Sequence, residues 1–202
     1  MIDEGYIKFG IDWTKTEPLA NPLIDELAHW RRPLYDAGLI GQYEDIGVGF
    51  GNLSMRGESS DAFIISGTQT GHLAELDQRH FALVTAADPD ANRVACRGPL
   101  QASSESMTHA AIYAVDSSIN AVVHVHSREL WARLQGEIAT TAEDVAYGTP
   151  AMAAEFARLY RDTGFAVDGV AVMAGHEEGL ISIGTTIEEA ASRILALNSG
   201  SS

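Results

Sequence analysis

AVVHVHSREL, residues 121–130, starts apolar and then places two histidines one residue apart. A short apolar run rich in β-branched residues reads as a strand. Successive strand side chains alternate faces, so His124 and His126 would project from the same one. There are two ways to read the pair. Either the strand end presents two imidazoles to one metal ion, or two polar residues mark where the strand leaves the core. A third histidine, His176, follows the apolar run GVAVMAG (169–175) and precedes GLISIG (179–184). Neighbouring strands ending at one edge would bring the three imidazoles together. Three histidines that leave one position open are a recurrent catalytic zinc set.

Outward from this stretch, the chain alternates between two periods. NPLIDELAHWRRPLYDAGL (21–39) carries Leu23, Leu27, Trp30 and Leu34 at helical spacing. Asn21 can cap it, Pro22 suits the first helical position, Pro33 is expected to kink or split it, and Gly38 can stop it. IGVGFGNLSMR (46–56), DAFIISG (61–67), HFALVTAA (80–87) and NRVACRG (92–98) read as strands separated by turns, which predicts antiparallel pairing. Helices are expected at SSESMTHAAIYAVD (103–116), SRELWARL (127–134), TPAMAAEFARLYRDTG (149–164) and TTIEEAASRILAL (185–197). Residues 1–20 read as an N-terminal arm or short edge strand, and 199–202 as a disordered tail. The fold class expected is α/β, helices packed over a mixed or antiparallel sheet, in one domain spanning residues 1–202.

Bulk properties narrow the function. The chain has 202 residues and a formal net charge of −15, from 13 basic and 28 acidic side chains. It lacks the basic footprint of a nucleic-acid binder. An anionic substrate would need local donors to overcome the overall field. The single cysteine, Cys96, excludes an intrachain disulfide framework. No apolar run approaches the roughly 20 residues of a membrane helix, and MIDEGYIKFG has no apolar leader. A soluble, cytoplasmic protein without nucleic-acid or membrane partners is expected.

Five further features are candidates for chemistry. Glu105 falls in the first turn of an expected helix, where acids also serve simply to complement the helix dipole. His109 lies one turn on. GNLS (51–54) and SGTQTG (66–71) combine glycine flexibility with amide and hydroxyl groups. Ser103 and Ser104 open the helix that carries Glu105, and helix N-termini bind anions. Turns use these same residues, so each loop alone is a weak signal.

The ordered set GNLS, FIISGT, SSE with a histidine four residues after the glutamate, VVHVH, and a lone histidine before Gly–Leu–Ile resembles the class II aldolase/adducin family, whose best-known enzyme is L-fuculose-phosphate aldolase. The resemblance covers about three quarters of the chain. It implies a three-layer α/β/α fold with a mainly antiparallel central sheet, in a homotetramer. It makes His124, His126 and His176 ligands of Zn2+, with Mn2+ or Co2+ as alternatives. It assigns Glu105 the role of acid/base carboxylate. It places the substrate phosphate against Asn52, Ser66 or Thr68, Ser103 and Ser104. The activity implied is aldol cleavage or condensation of a small phosphorylated or carboxylated substrate through a metal-stabilised enediolate. Epimerase, dehydratase and decarboxylase relatives reuse the same site, and the adducin head shares the fold without the metal set.

The chain also departs from that family. The stretch between Leu134 and Gly148 is short, and Tyr147 is a poor match for the tyrosine that family aldolases carry there. The sequence has no long segment after the helix at 185–197. His176 is followed by Glu177 and Glu178, which add negative charge beside the expected metal.

Overall fold

A computed structural model describes residues 6–57 and 61–200. The strands are β1 (Gly10–Lys15), β2 (Gly41–Tyr43), β3 (Val48–Phe50), β4 (Asn52–Arg56), β5 (Phe63–Ser66), β6 (Phe81–Asp88), β7 (Arg93–Gly98), β8 (Ala121–His126), β9 (Val170–Val172) and β10 (Gly179–Gly184). The helices are α1 (Leu23–Asp36), α2 (Ser106–Val115), α3 (Arg128–Leu134), α4 (Pro150–Asp162), α5 (Phe165–Asp168) and α6 (Ile187–Ser199). Eight strands form one sheet in the order β1-β7-β6-β5-β4-β8-β10-β9, and β2 with β3 makes a separate hairpin. Every pairing in the large sheet is antiparallel except β1 with β7.

Alternation along the central strands builds two cores. Leu53, Ile64, Val123, Val125 and Leu180 face α1 and α6, packing on Ile24, Leu27, Ile187 and Ile194. Phe63, Ile65, Val122, Ile181 and Ile183 face the other way, onto Met107, Ile112, Phe156 and Phe165 of α2, α4 and α5. The result is a three-layer α/β/α architecture. Each large apolar side chain buried in these layers contributes roughly 1.5–3 kcal/mol. His124 and His126 occupy the α2-facing register of β8 and are buried, so they do not mark an exit from the core.

Several local expectations are corrected. Residues 46–56 are two strands, broken at Gly51 with φ +75. A Cβ there would lie 2.8 Å from the Ile40 side chain, so the break needs glycine. Helix α1 is not split at Pro33. The proline removes a donor only from the carbonyl of His29, which is exposed and within reach of water. Asn21 Oδ1 does accept from Leu23 N, at 3.0 Å, and Gly38 has φ +71 just past the helix end. The unread helix α5 follows α4 directly and closes at Gly169, φ +69. The edge strand β1 pairs parallel, a relation between segments about 80 residues apart that local pattern does not carry. At the C-terminus α6 extends through Ser199 with Gly200 after it, while 201 and 202 lie outside the described residues, as do residues 1–5 of the arm.

Candidate metal centre

Strand β8 lies between β4 and β10, and this pairing fixes what surrounds its histidines. Asn52 is the cross-strand partner of His124 on one side and Ile181 on the other, while Gly179 lies opposite His126. His176 sits in the β9–β10 turn, not at the end of a strand, because β9 stops at Val172. A tight turn with Glu178 at φ +68 folds it back toward β8. The three rings meet with centroids 4.8–5.0 Å apart. All three residues are buried, and one candidate ligand atom from each lies within 4.8 Å of the others.

The hydrogen bonds determine which ring nitrogens face inward. His124 Nδ1 donates to the Leu180 carbonyl at 3.0 Å, which leaves Nε2 as the lone-pair nitrogen. Tyr43 Oη donates to Glu178 Oε2 at 2.8 Å and lies 3.0 Å from His126 Nδ1. Its one proton is spent on Glu178, so the tyrosine oxygen accepts from His126 Nδ1–H, and Nε2 of His126 also turns its lone pair inward. These two Nε2 atoms are 3.1 Å apart. Two acceptors at that distance repel unless a cation lies between them. Ligands at about 2.0–2.1 Å from a tetrahedral zinc would stand about 3.3 Å apart.

Electrostatics agree with this. Burial, then His176, then His109 hold the His124 imidazole well below its usual range. Burial, then His176, then His124 do the same for His126. Both rings are therefore neutral, as a metal ligand must be, rather than cations. The donor set fits a divalent metal: three buried imidazoles, two with the tautomer that coordination needs.

Glu105 immediately precedes α2 instead of lying inside its first turn. It is buried, with Oε1 3.5 Å from His176 Nδ1. Thus the structure brings Glu105 to the histidine cluster, which the dipole reading alone would not require. Tyr147, set aside on sequence grounds, stacks on His176 with centroids 4.3 Å apart and rings 23° from parallel. Lys8 Nζ lies 3.8 Å over the other partner of that stack, the Tyr147 ring.

A small cavity beside the cluster is lined by Gly51, Asn52, Thr68, Gly71, Ser103 and Ser104 among others. It adjoins the metal candidates through the Asn52–His124 pair and through the Ser104–Glu105 bond. Asn52 Oδ1 is buried and has no hydrogen-bond partner among the described residues. Ser66 is not among the lining residues; its Oγ accepts from Leu53 N at 3.4 Å. His109 is buried in α2, with Nδ1 2.7 Å from Ser54 Oγ in a chain that continues 2.7 Å to Tyr113 Oη. A larger cavity, about 510 Å3, lies beside Arg56, Phe63 and Tyr113 and contains none of the histidines. The Arg56 guanidinium there is spent on the carbonyls of Ile119, Tyr113 and Asp116.

Sequence reading missed Arg31. It is buried in α1 and donates to the carbonyls of Thr70, Gly71 and Ala74 at 3.1–3.3 Å, which ties down the loop that lines the small cavity. The signal was present: positions 24, 27, 31 and 34 form one helical stripe, so Arg31 lies on the apolar face.

The family profile described as Class II Aldolase and Adducin N-terminal domain matches residues 26–200. The chain belongs to this family. Among solved structures, L-fuculose-1-phosphate aldolase from Thermus thermophilus superimposes with a TM-score of 0.65 at 20% identity, covering 88% of this chain and 89% of that one. A sugar-phosphate aldolase from Thermotoga maritima gives 0.64 at 15% identity, covering 87% and 90%. The N-terminal class II aldolase domain of a conserved protein from Thermoplasma acidophilum gives 0.59 at 17%, covering 93% and 94%. No curated protein matches the chain at a significant level. No helix among the described residues is long and apolar enough to cross a membrane.

Proposed function

We propose that this class II aldolase-family chain is a metal-dependent lyase that cleaves or forms a carbon–carbon bond in a small sugar phosphate. The observation that carries the reading is the convergence of three buried imidazoles with the Glu105 carboxylate, 3.5 Å from His176, beside a cavity of neutral donors. His124, His126 and His176 would hold Zn2+, or Mn2+ or Co2+ in its place. A divalent cation held there supplies a Lewis acid that polarises a substrate carbonyl and stabilises negative charge on its oxygen.

The chain's own residues supply the rest. In aldol cleavage the hydroxyl on the departing carbon gives up its proton as the carbon–carbon bond breaks and that carbon becomes the aldehyde, and the carbon left behind must then take up a proton. Glu105 is placed to hold that proton and return it, or to remove it in the condensation direction. Burial beside the imidazoles keeps bulk water from competing for it. Asn52, Thr68, Ser103 and Ser104 would bind the phosphate through neutral groups near the start of α2, whose free N–H groups favour an anion. This is how a chain of net charge −15 can receive an anionic ligand. Ser66 would act on the phosphate only through the strand it supports. The single cysteine is the ground for proposing a cytoplasmic location, and the family resemblance the ground for proposing a homotetramer.

The test is proton exchange into dihydroxyacetone phosphate in D2O, followed by NMR on metal-loaded protein. Exchange that disappears in Glu105→Gln while the metal stays bound is the expected result. Metal-loaded protein that exchanges no proton would overturn the aldolase reading and turn attention to dehydratase and decarboxylase substrates, and exchange that runs equally well without the carboxylate would overturn the role given to Glu105.

A further inference from the structure

The two inward-facing histidines of β8 are supported differently. His124 rests on a main-chain carbonyl, whereas His126 rests on a side chain that is itself bonded to a carboxylate. Glu178 receives the Tyr43 hydroxyl on Oε2, and Arg128 Nε donates to its Oε1 at 2.9 Å. A second guanidinium nitrogen of Arg128 donates to Glu177 Oε1 at 3.0 Å. Four segments are joined in this way: the β2–β3 hairpin, β8, the β9–β10 turn and α3.

Two features separate this chain of bonds from ordinary surface pairing. First, Glu178 holds φ +68, a backbone state that glycine adopts at no steric cost and that other residues rarely occupy. A glutamate kept there points to use of its side chain. Second, Tyr43 reaches His126 from a hairpin outside the main sheet, with its ring packed on Phe50 at 4.7 Å and Phe50 in turn 5.4 Å from the imidazole. The hydroxyl meets Nδ1 while the aromatic pair covers the ring.

We infer that Tyr43 and Glu178 are positioning residues for metal binding, a carboxylate–phenol relay that fixes the His126 tautomer and makes its Nε2 a stronger donor than a carbonyl-supported histidine. Arg128 holds the carboxylate in place from the solvent side. The two acids after His176 thereby act on the centre from behind a ligand instead of repelling substrate in front of it. This inference rests on the metal reading of the three histidines.

The test compares metal-free wild type, Tyr43→Phe and Glu178→Gly in titrations with Co2+, read from its visible absorption and by chelator competition, alongside thermal melting of the metal-free proteins. Phenylalanine keeps the packing on Phe50 and removes only the hydroxyl. Glycine removes the carboxylate and suits the backbone state. The expected result is a rise of about 10–100-fold in the Co2+ dissociation constant for both variants. The metal-free melting temperature should be unchanged for Tyr43→Phe and equal or higher for Glu178→Gly. Wild-type affinity in the variants overturns the relay alone. Loss of Co2+ affinity matched by loss of metal-free stability makes these residues merely structural and also overturns it. A wild type that binds no Co2+ overturns the relay together with the metal reading.

Discussion

His109 should make the protein acid-sensitive in a measurable way. Its imidazole is buried in α2 against Ser54, and burial pushes it from its usual 6.5 down to about 3. The folded chain therefore refuses a proton that the unfolded chain accepts. The stability this residue contributes is complete above about pH 6.5 and is lost as pH falls from there toward about 3. At about pH 5.5 roughly nine-tenths of unfolded chains carry the proton, so each further pH unit removes close to ~1.36 kcal/mol. Between about pH 5.5 and 4.5 the loss due to His109 alone is about 1.3 kcal/mol. His124 and His126 add losses of the same sign when metal is absent. Comparison with His109→Gln isolates the one residue, because His124 and His126 are present in both proteins and cancel. Urea unfolding of the metal-free proteins at several pH values between about 6.5 and 4.5 would measure it. The expected result is a wild-type curve that falls more steeply than the variant's by about 1.3 kcal/mol over the last unit. Parallel curves would refute the reasoning and mean that the folded state admits a proton at position 109.

Three further outcomes follow from the packing. Arg31→Met should release the carbonyls of Thr70, Gly71 and Ala74 and speed hydrogen exchange through residues 67–74 by roughly tenfold or more, with Phe156 and its neighbours still protected. Uniform protection would show that the loop holds itself. Gly71→Ala drives a Cβ into the Gly41 carbonyl, a backbone group that cannot swing aside, and should cost about 2 kcal/mol or more and displace the β2–β3 hairpin, seen as a lower urea midpoint. Phe156→Ala empties a fully buried ring site beneath α2 and should cost about 3–5 kcal/mol by the same assay.

Much of the layered arrangement was legible because it is periodic. Val122 and Val123 fall to opposite cores by strand alternation, and Leu27 and Leu34 fall to one core by helical spacing, so the inward faces of these elements could be read without coordinates. Gly51 escaped notice because a break in an apolar run is decided by what lies across from it, here Ile40. Arg31 shares the stripe of Ile24, Leu27 and Leu34, but its burial depends on the carbonyls of a loop about 40 residues on, which local spacing does not show. Tyr43 carried no signal at all: its bond to His126 spans 83 positions and depends on how a hairpin leans on the sheet.

By itself, the sequence determined the chemical inventory and the inward face of most elements: two histidines on one strand face, a third between two apolar runs, a carboxylate at a helix start and neutral loops suited to an anion. These are properties of short segments, governed by alternation and by side-chain type. Only the tertiary structure decided that the imidazoles meet at 4.8–5.0 Å, that the His124 and His126 tautomers turn Nε2 inward, that Asn52 and Ser104 border the cluster, and that Glu178 stands behind His126. Those facts depend on strand register and on contacts between distant segments, and a one-residue slip of β8 would have turned both histidines to the α6 side.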